Sequence, residues 1–183
     1  IFVIVFVAIC VAIVQFSKHN LEEAKKDLQE TQEKYGWVEK ESVDVLVAKF
    51  NTQVMDNDSS SLNPASTDYL TEDNNQYWYG LIDGIYLVVV PEKYTGDKTT
   101  ETVNYTFLYV DKTSKYESDA ISYIKYLIKA NNSEITDSEI DTLLEDAKTK
   151  TNSGKTANNG KGISIGYIEN DEAYQYQVLR LYK

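Results

Sequence analysis

The sequence predicts an α+β fold: an amino-terminal transmembrane and stalk helix, then one domain with a mainly antiparallel sheet of about five strands and three helices. Three observations carry this expectation. Fourteen apolar residues run unbroken from Ile1 to Val14, two β-rich runs flank Asp83-Gly84, and two Ser/Thr-x-x-Glu boxes stand ahead of apolar residues at helical spacing.

A helix rises about 1.5 Å per residue and must cross about 30 Å of hydrocarbon, so roughly 20 apolar residues are wanted. The run through Phe16 falls slightly short, and because the chain opens on Ile rather than Met, a basic start is expected ahead of it. A cleaved signal peptide needs small residues at its exit, whereas Ile, Cys, Val and Gln stand around Ala8 and Ala12. A lipoprotein needs a small residue before its modified Cys, whereas Ile9 precedes Cys10. Residues 1–16 therefore read as an uncleaved signal anchor, a single pass through the cell membrane, and residues 17–36 as a stalk helix. Leu21, Ala24, Leu28, Thr31 and Tyr35 make a short heptad seam in the stalk, where Ala and Thr favour a solvated spacer over a coiled coil. Gly36 breaks or bends it.

Lys and Arg around the span do not orient it, since the near carboxyl flank offers only Lys18 before mixed Glu and Lys. Composition does: residues 37–183 are acidic, hold no Cys and carry no complete phosphate-binding motif, so this single domain is expected to be extracytoplasmic. With 29 acidic against 18 basic side chains and a formal net charge of −11, the chain lacks the basic stripe that a nucleic acid requires. Arg180 is the sole Arg, while Asn, Lys, Ile and Tyr abound, which is the bias of an AT-rich genome and points to a low-GC bacterium. In so Asn-rich a chain the Asn-x-Ser/Thr triplets at Asn57, Asn104 and Asn131 are accidental matches.

Beyond the stalk, Val43, Leu46, Val47, Phe50 and Val54 fall on one face and predict a helix over about residues 40–55. Tyr77–Ile82 and Ile85–Val90 form a hairpin through Asp83-Gly84, which Pro91 stops; the unalternating Val88–Val90 places the second strand inside the sheet. Thr102–Val110 adds a strand in which Val103, Tyr105, Phe107 and Tyr109 alternate with polar residues. Ser114-x-x-Glu117 and Thr136-x-x-Glu139 are capping boxes, followed by Ile121, Ile124, Leu127, Ile128 and by Ile140, Leu143, Leu144, Ala147. Residues 150–162 read as a mobile loop, and Ile163–Ile168 with Ala173–Tyr182 as a closing hairpin turning at Asn170 and Asp171.

The chemistry is mostly exclusion. His19 is the single His and Cys10 the single Cys, so a His-based nucleophilic site and zinc or haem ligation fail for lack of groups. Ser122-x-x-Lys125 lacks the partner motifs of a serine acylase, and Gly154-Lys155-Thr156 has Thr149 where a phosphate loop needs its first Gly. The run from Asp56 to Ser60 lacks the central Gly and twelfth-position Glu of a calcium loop. Neither catalytic, cofactor nor metal residues are assigned. Among 15 Tyr, the column Tyr174, Tyr176 and Tyr182 shares a strand face with Val178 and Arg180, while Gln175 and Gln177 take the opposite face. Tyr174, Tyr176, Arg180 and Tyr182 are thus the candidate partner-binding residues, set against a reading in which the column packs on a helix and Arg180 reaches solvent.

The expected function is a non-enzymatic, membrane-anchored extracytoplasmic module that binds or scaffolds an envelope protein or glycan, held at the membrane through residues 1–16. A pilin-like assembly subunit and a small carboxylate-based hydrolase are the alternatives. The first is weakened by the missing Glu in the apolar run, and the second rests only on abundant acidic residues.

Overall fold

The computed structural model describes residues 36–57, 62–153, 155–158 and 160–182. The expected anchor and stalk lie outside the described residues apart from Gly36. Among the described residues no helix is long and apolar enough to cross a membrane.

The α+β reading holds: the described residues form three α-helices and one sheet of seven antiparallel strands. Helix α1 (Val43–Asn57) precedes a meander of β1 (Leu70–Asp73), β2 (Gln76–Ile82), β3 (Ile85–Pro91) and β4 (Val103–Asp111). Helices α2 (Ala120–Asn131) and α3 (Asp137–Thr149) follow, then β5 (Ala157–Asn158), β6 (Ile163–Glu169) and β7 (Ala173–Arg180). The sheet order is β1-β2-β3-β4-β7-β6-β5, so the second meander docks its last strand against β4 in the middle of the sheet.

Local chemistry explains most of these elements. The Asp83-Gly84 hairpin forms as expected, with Gly84 at φ +77° and β3 lying between β2 and β4. Helix α3 starts with a complete capping box: the Thr136 hydroxyl accepts from the Glu139 N–H, and the Glu139 carboxylate accepts from the Thr136 N–H. The box expected at Ser114 does not form. The Ser114 hydroxyl donates to the Asp83 carbonyl across the hairpin and accepts from the Tyr116 N–H, so a short 3₁₀ turn, Glu117–Asp119, leads into α2 instead. Two strands exceed the expected five. Both are edges: β1 pairs with Gln76–Tyr79 of β2, and β5 sits in the segment expected to be a mobile loop, where Ala157 and Asn158 pair with Ile165 and Ser164.

Inward-facing side chains align across the strands. One row runs Tyr79, Leu87, Leu108, Tyr176, Tyr167, each partner next to the last in register and all 9% exposed or less. Against this face pack Leu46, Phe50 and Val54 of α1, Ile124 and Leu127 of α2, and Ile140 of α3, all fully buried. Burying one such side chain contributes about 1.5–3 kcal/mol, so this layer dominates stability. Residues 36–43 then lie along one end of the sheet, with the Val38 N–H donating to the Leu181 carbonyl and the Val103 N–H to the Glu41 carbonyl.

Candidate functional site

The four residues expected to form a binding column are divided between the core and one end of the sheet. Tyr174 and Tyr176 face the helices, 7% and 1% exposed, with ring centroids 5.8 and 4.9 Å from Tyr167. Burial pushes the Tyr176 hydroxyl up to about 12, with the charges of Glu169 and Glu117 adding to the shift. A docking partner cannot reach these rings. Arg180 does not reach solvent: its side chain is 1% exposed, its Nη2 lies 2.8 Å from Glu41 Oε1, and the same nitrogen donates to the Glu39 carbonyl. Residues 39–41 fold over it, which the spacing within its own strand gave no means to foresee. Tyr182 sits beside it, half-buried, the guanidinium carbon 5.3 Å from its ring centroid.

Among the described residues no α-helix packs on the opposite face of the sheet. Two rows cross it in register: Trp78, Val88, Phe107, Gln177, Gly166, and beside it Gly80, Tyr86, Tyr109, Gln175, Ile168. Val88 and Phe107 are buried yet stand apart from the helix-side core, because the neighbouring rings cover them. Trp78 packs edge-on against Phe107 and Tyr109, each at 5.8 Å, and against Tyr86 at 6.1 Å. Tyr105 stacks on Phe107 at 6.3 Å. Such mutual edge-on packing stiffens the rings while Tyr86, 37% exposed, and Ile168, 42% exposed, still meet solvent.

Polar groups on this face are unspent. Among the described residues the hydroxyls of Tyr86, Tyr105 and Tyr109 and the amides of Gln175 and Gln177 make no hydrogen bond, and Trp78 Nε1 is buried without an acceptor. Neither row contains a charged side chain, in a chain where 26% of residues are charged. Two depressions flank the rows. At the β2 end, a groove of about 570 Å³ is lined by Tyr69, Gly80, Tyr86 and Tyr116, with Asp68, Asp83 and Lys115 also on its wall. At the β6 end, a hollow of about 270 Å³ is lined by Lys155, Thr156, Gly166, Ile168, Gln177 and Leu179. Glycine opens both floors. A Cβ at Gly80 would stand 3.4 Å from Tyr69 Cβ, and one at Gly166 would stand 3.4 Å from Gln177 Oε1.

Acid chemistry is spent on structure. Glu101, 4% exposed, is a buried carboxylate; it accepts the Tyr77 hydroxyl at 2.5 Å, the Thr95 hydroxyl at 2.9 Å and the Gly96 N–H at 2.8 Å. Burial alone would raise its pKa, but the bonds from Tyr77, Thr95 and Gly96 outweigh it and hold the carboxyl below the ordinary value. It stays ionised and locks the 95–101 loop, the reverse of what a general acid needs. Among the described residues no three His, Cys, Asp or Glu are grouped so as to hold a metal ion.

The sequence reading passed over Trp78 and Tyr86. Each alternates with an inward residue of its own strand, and that signal was legible; that they meet Tyr109 was not, because it depends on register between strands. Neither a protein-family model, nor a curated protein, nor a solved structure matches the chain.

Proposed function

We propose that the chain is a non-enzymatic, membrane-anchored extracytoplasmic module that binds or scaffolds a cell-envelope component, and that the component docks on the helix-free face of the sheet. One observation supports this above the rest. Five aromatic residues, Trp78, Tyr86, Tyr105, Phe107 and Tyr109, stand together about two cross-strand rows that carry no charged side chain, and among the described residues the Trp78 indole N–H and the three tyrosine hydroxyls have no hydrogen-bond partner. Rigid aromatics with charge excluded from the centre are what the core of an interface is made of, and contiguous apolar patches on a surface mark interaction sites.

Site-specific photo-crosslinking in cells tests the reading. A benzophenone amino acid replaces Tyr86 in the full-length chain, and in a control it replaces Met55, which is 60% exposed on α1. Adducts are expected from position 86 and not from 55, and protease shaving of intact cells should remove the adduct. Crosslinks from Met55 alone, or an adduct protected until lysis, would overturn the docking face or the topology respectively.

A further inference from the structure

We infer that this face takes a neutral, linear glycan, laid across the strands from the Tyr69–Tyr86 groove to the Gly166–Gln177 hollow; the inference rests on the binding-face reading above. A pyranose ring offers two chemistries at once. Its C–H faces pack on aromatic rings, and its hydroxyls both donate and accept hydrogen bonds. The protein presents the complement of each: the rings of Trp78, Tyr86 and Tyr109 in one cluster, with tyrosine hydroxyls and the Gln175 and Gln177 amides unpaired around them. In the groove, Asp68 and Asp83 add carboxylates whose oxygens form no hydrogen bond or ion pair among the described residues, and carboxylates accept strongly from hydroxyl donors.

Charge and edges remove the competing occupants. A polyanion, whether nucleic acid or an acidic polysaccharide, would meet a chain of net charge −11. A second copy would bring another −11 against it. A polypeptide adding as a strand finds short edges, one acidic and one overlaid by further chain. β1 carries Glu72 and Asp73, and β5 covers Ser164 and Ile165. Beyond β5 the Asn152 N–H donates to the Tyr167 carbonyl while its side-chain amide exchanges two bonds with the Glu169 backbone. What remains is an uncharged, hydroxyl-rich ligand lying on the face.

Length follows from the sheet. The row from Gly80 through Tyr86, Tyr109 and Gln175 to Ile168 crosses five strands, or about 19 Å at the usual strand spacing, a span of about four pyranose units. Side-chain-free glycines at both ends, Gly80 and Gly166, leave the path open where a Cβ would begin to fill it.

Calorimetric titration of the full-length chain in detergent micelles with chitohexaose, cellohexaose and mannohexaose, alongside their disaccharides, tests the inference. Saturable binding of at least one neutral hexasaccharide is expected, with a shift in tryptophan emission and the matching disaccharide at least about tenfold weaker. Tyr86→Ala and Gly80→Val should each weaken the hexasaccharide about tenfold, while both variants keep a cooperative thermal unfolding transition that shows the domain folded at the temperature of the titration. Absence of binding by all three, binding that ignores both variants, or preference for an oligogalacturonate hexamer would overturn it. Protein adducts from position 86 in cells, combined with no glycan binding, would leave the docking face standing and remove the glycan.

Discussion

Replacing Gly162 with Ala should detach the first described residues from the domain, and Gly96→Ala supplies the matched control. Both glycines hold positive φ, +77° at Gly162 and +85° at Gly96, so an alanine costs about 1–2 kcal/mol of backbone strain at either. Their surroundings differ. A Cβ at Gly96 would meet nothing within 4 Å, whereas one at Gly162 would lie 2.5 Å from Trp37 Cα and closer still to its carbonyl carbon. Backbone cannot swing aside as a side chain can, so Trp37 would have to retreat by more than an ångström. That movement breaks the 2.8 Å bond from the Val38 N–H to the Leu181 carbonyl, worth about 1 kcal/mol, and re-exposes Val38, worth about 1.5 kcal/mol. The expected loss is about 3–5 kcal/mol for Gly162→Ala against about 1–2 for Gly96→Ala, a large share of an ordinary domain's stability. Urea denaturation followed by the fluorescence of Trp37 and Trp78 would measure both. Equal midpoints for the two variants would refute the close-approach argument.

Two further predictions follow from ion pairs. Arg180→Ala strips the buried Glu41 carboxylate, 7% exposed, of its guanidinium and should cost about 3 kcal/mol, some of it restored by adding Glu41→Gln; a variant as stable as the parent would show that Lys49 alone satisfies that acid. Glu139 is held at about 2, against an ordinary 4.5, by the bond from Lys161 and then by those from the Thr136 N–H and hydroxyl. Its folded pKa is depressed, so its contribution is complete above the unfolded value and is lost as pH falls from 4.5 toward 2. Glu139→Gln should therefore be less stable than the parent near neutral pH, with the gap closing in acid; a gap that stays constant over that range would remove the linkage.

Signals confined to a few neighbouring residues were legible in the sequence. The Asp83-Gly84 hairpin, the Thr136 capping box and the turn at Asn170, whose side chain accepts from the Glu172 and Ala173 N–H groups, depend on local dihedrals and short-range bonds. So does the alternation that put Tyr174 and Tyr176 on one side of β7 and Gln175 and Gln177 on the other. Where a second, distant partner competes, that reading fails. The Ser114 hydroxyl bonds Asp83, 31 residues away, and so never caps a helix. Strands β1 and β5 are polar and at most four residues long, with no pattern of their own; each exists because a neighbouring strand offers unpaired backbone groups.

The sequence by itself determined the Asp83-Gly84 and Asn170 turns, the Thr136 helix start and the side of β7 that Tyr174 and Tyr176 take, because those properties depend on two to four neighbouring residues; it did not settle the phase of β4, whose Leu108 and Val110 face the core while Tyr105 and Tyr109 face away, nor the face of Ile121, which is exposed. Only the tertiary structure decided which outward residues meet. Trp78, Tyr86 and Tyr109 come from three strands, and inter-strand register, set jointly by the hairpins and the buried face, brings them into one cluster. Arg180 is buried by Glu39, 141 residues away in the chain, and no periodicity within β7 encodes that closure, since its free energy comes from packing a segment that lies beyond the reach of any local pattern.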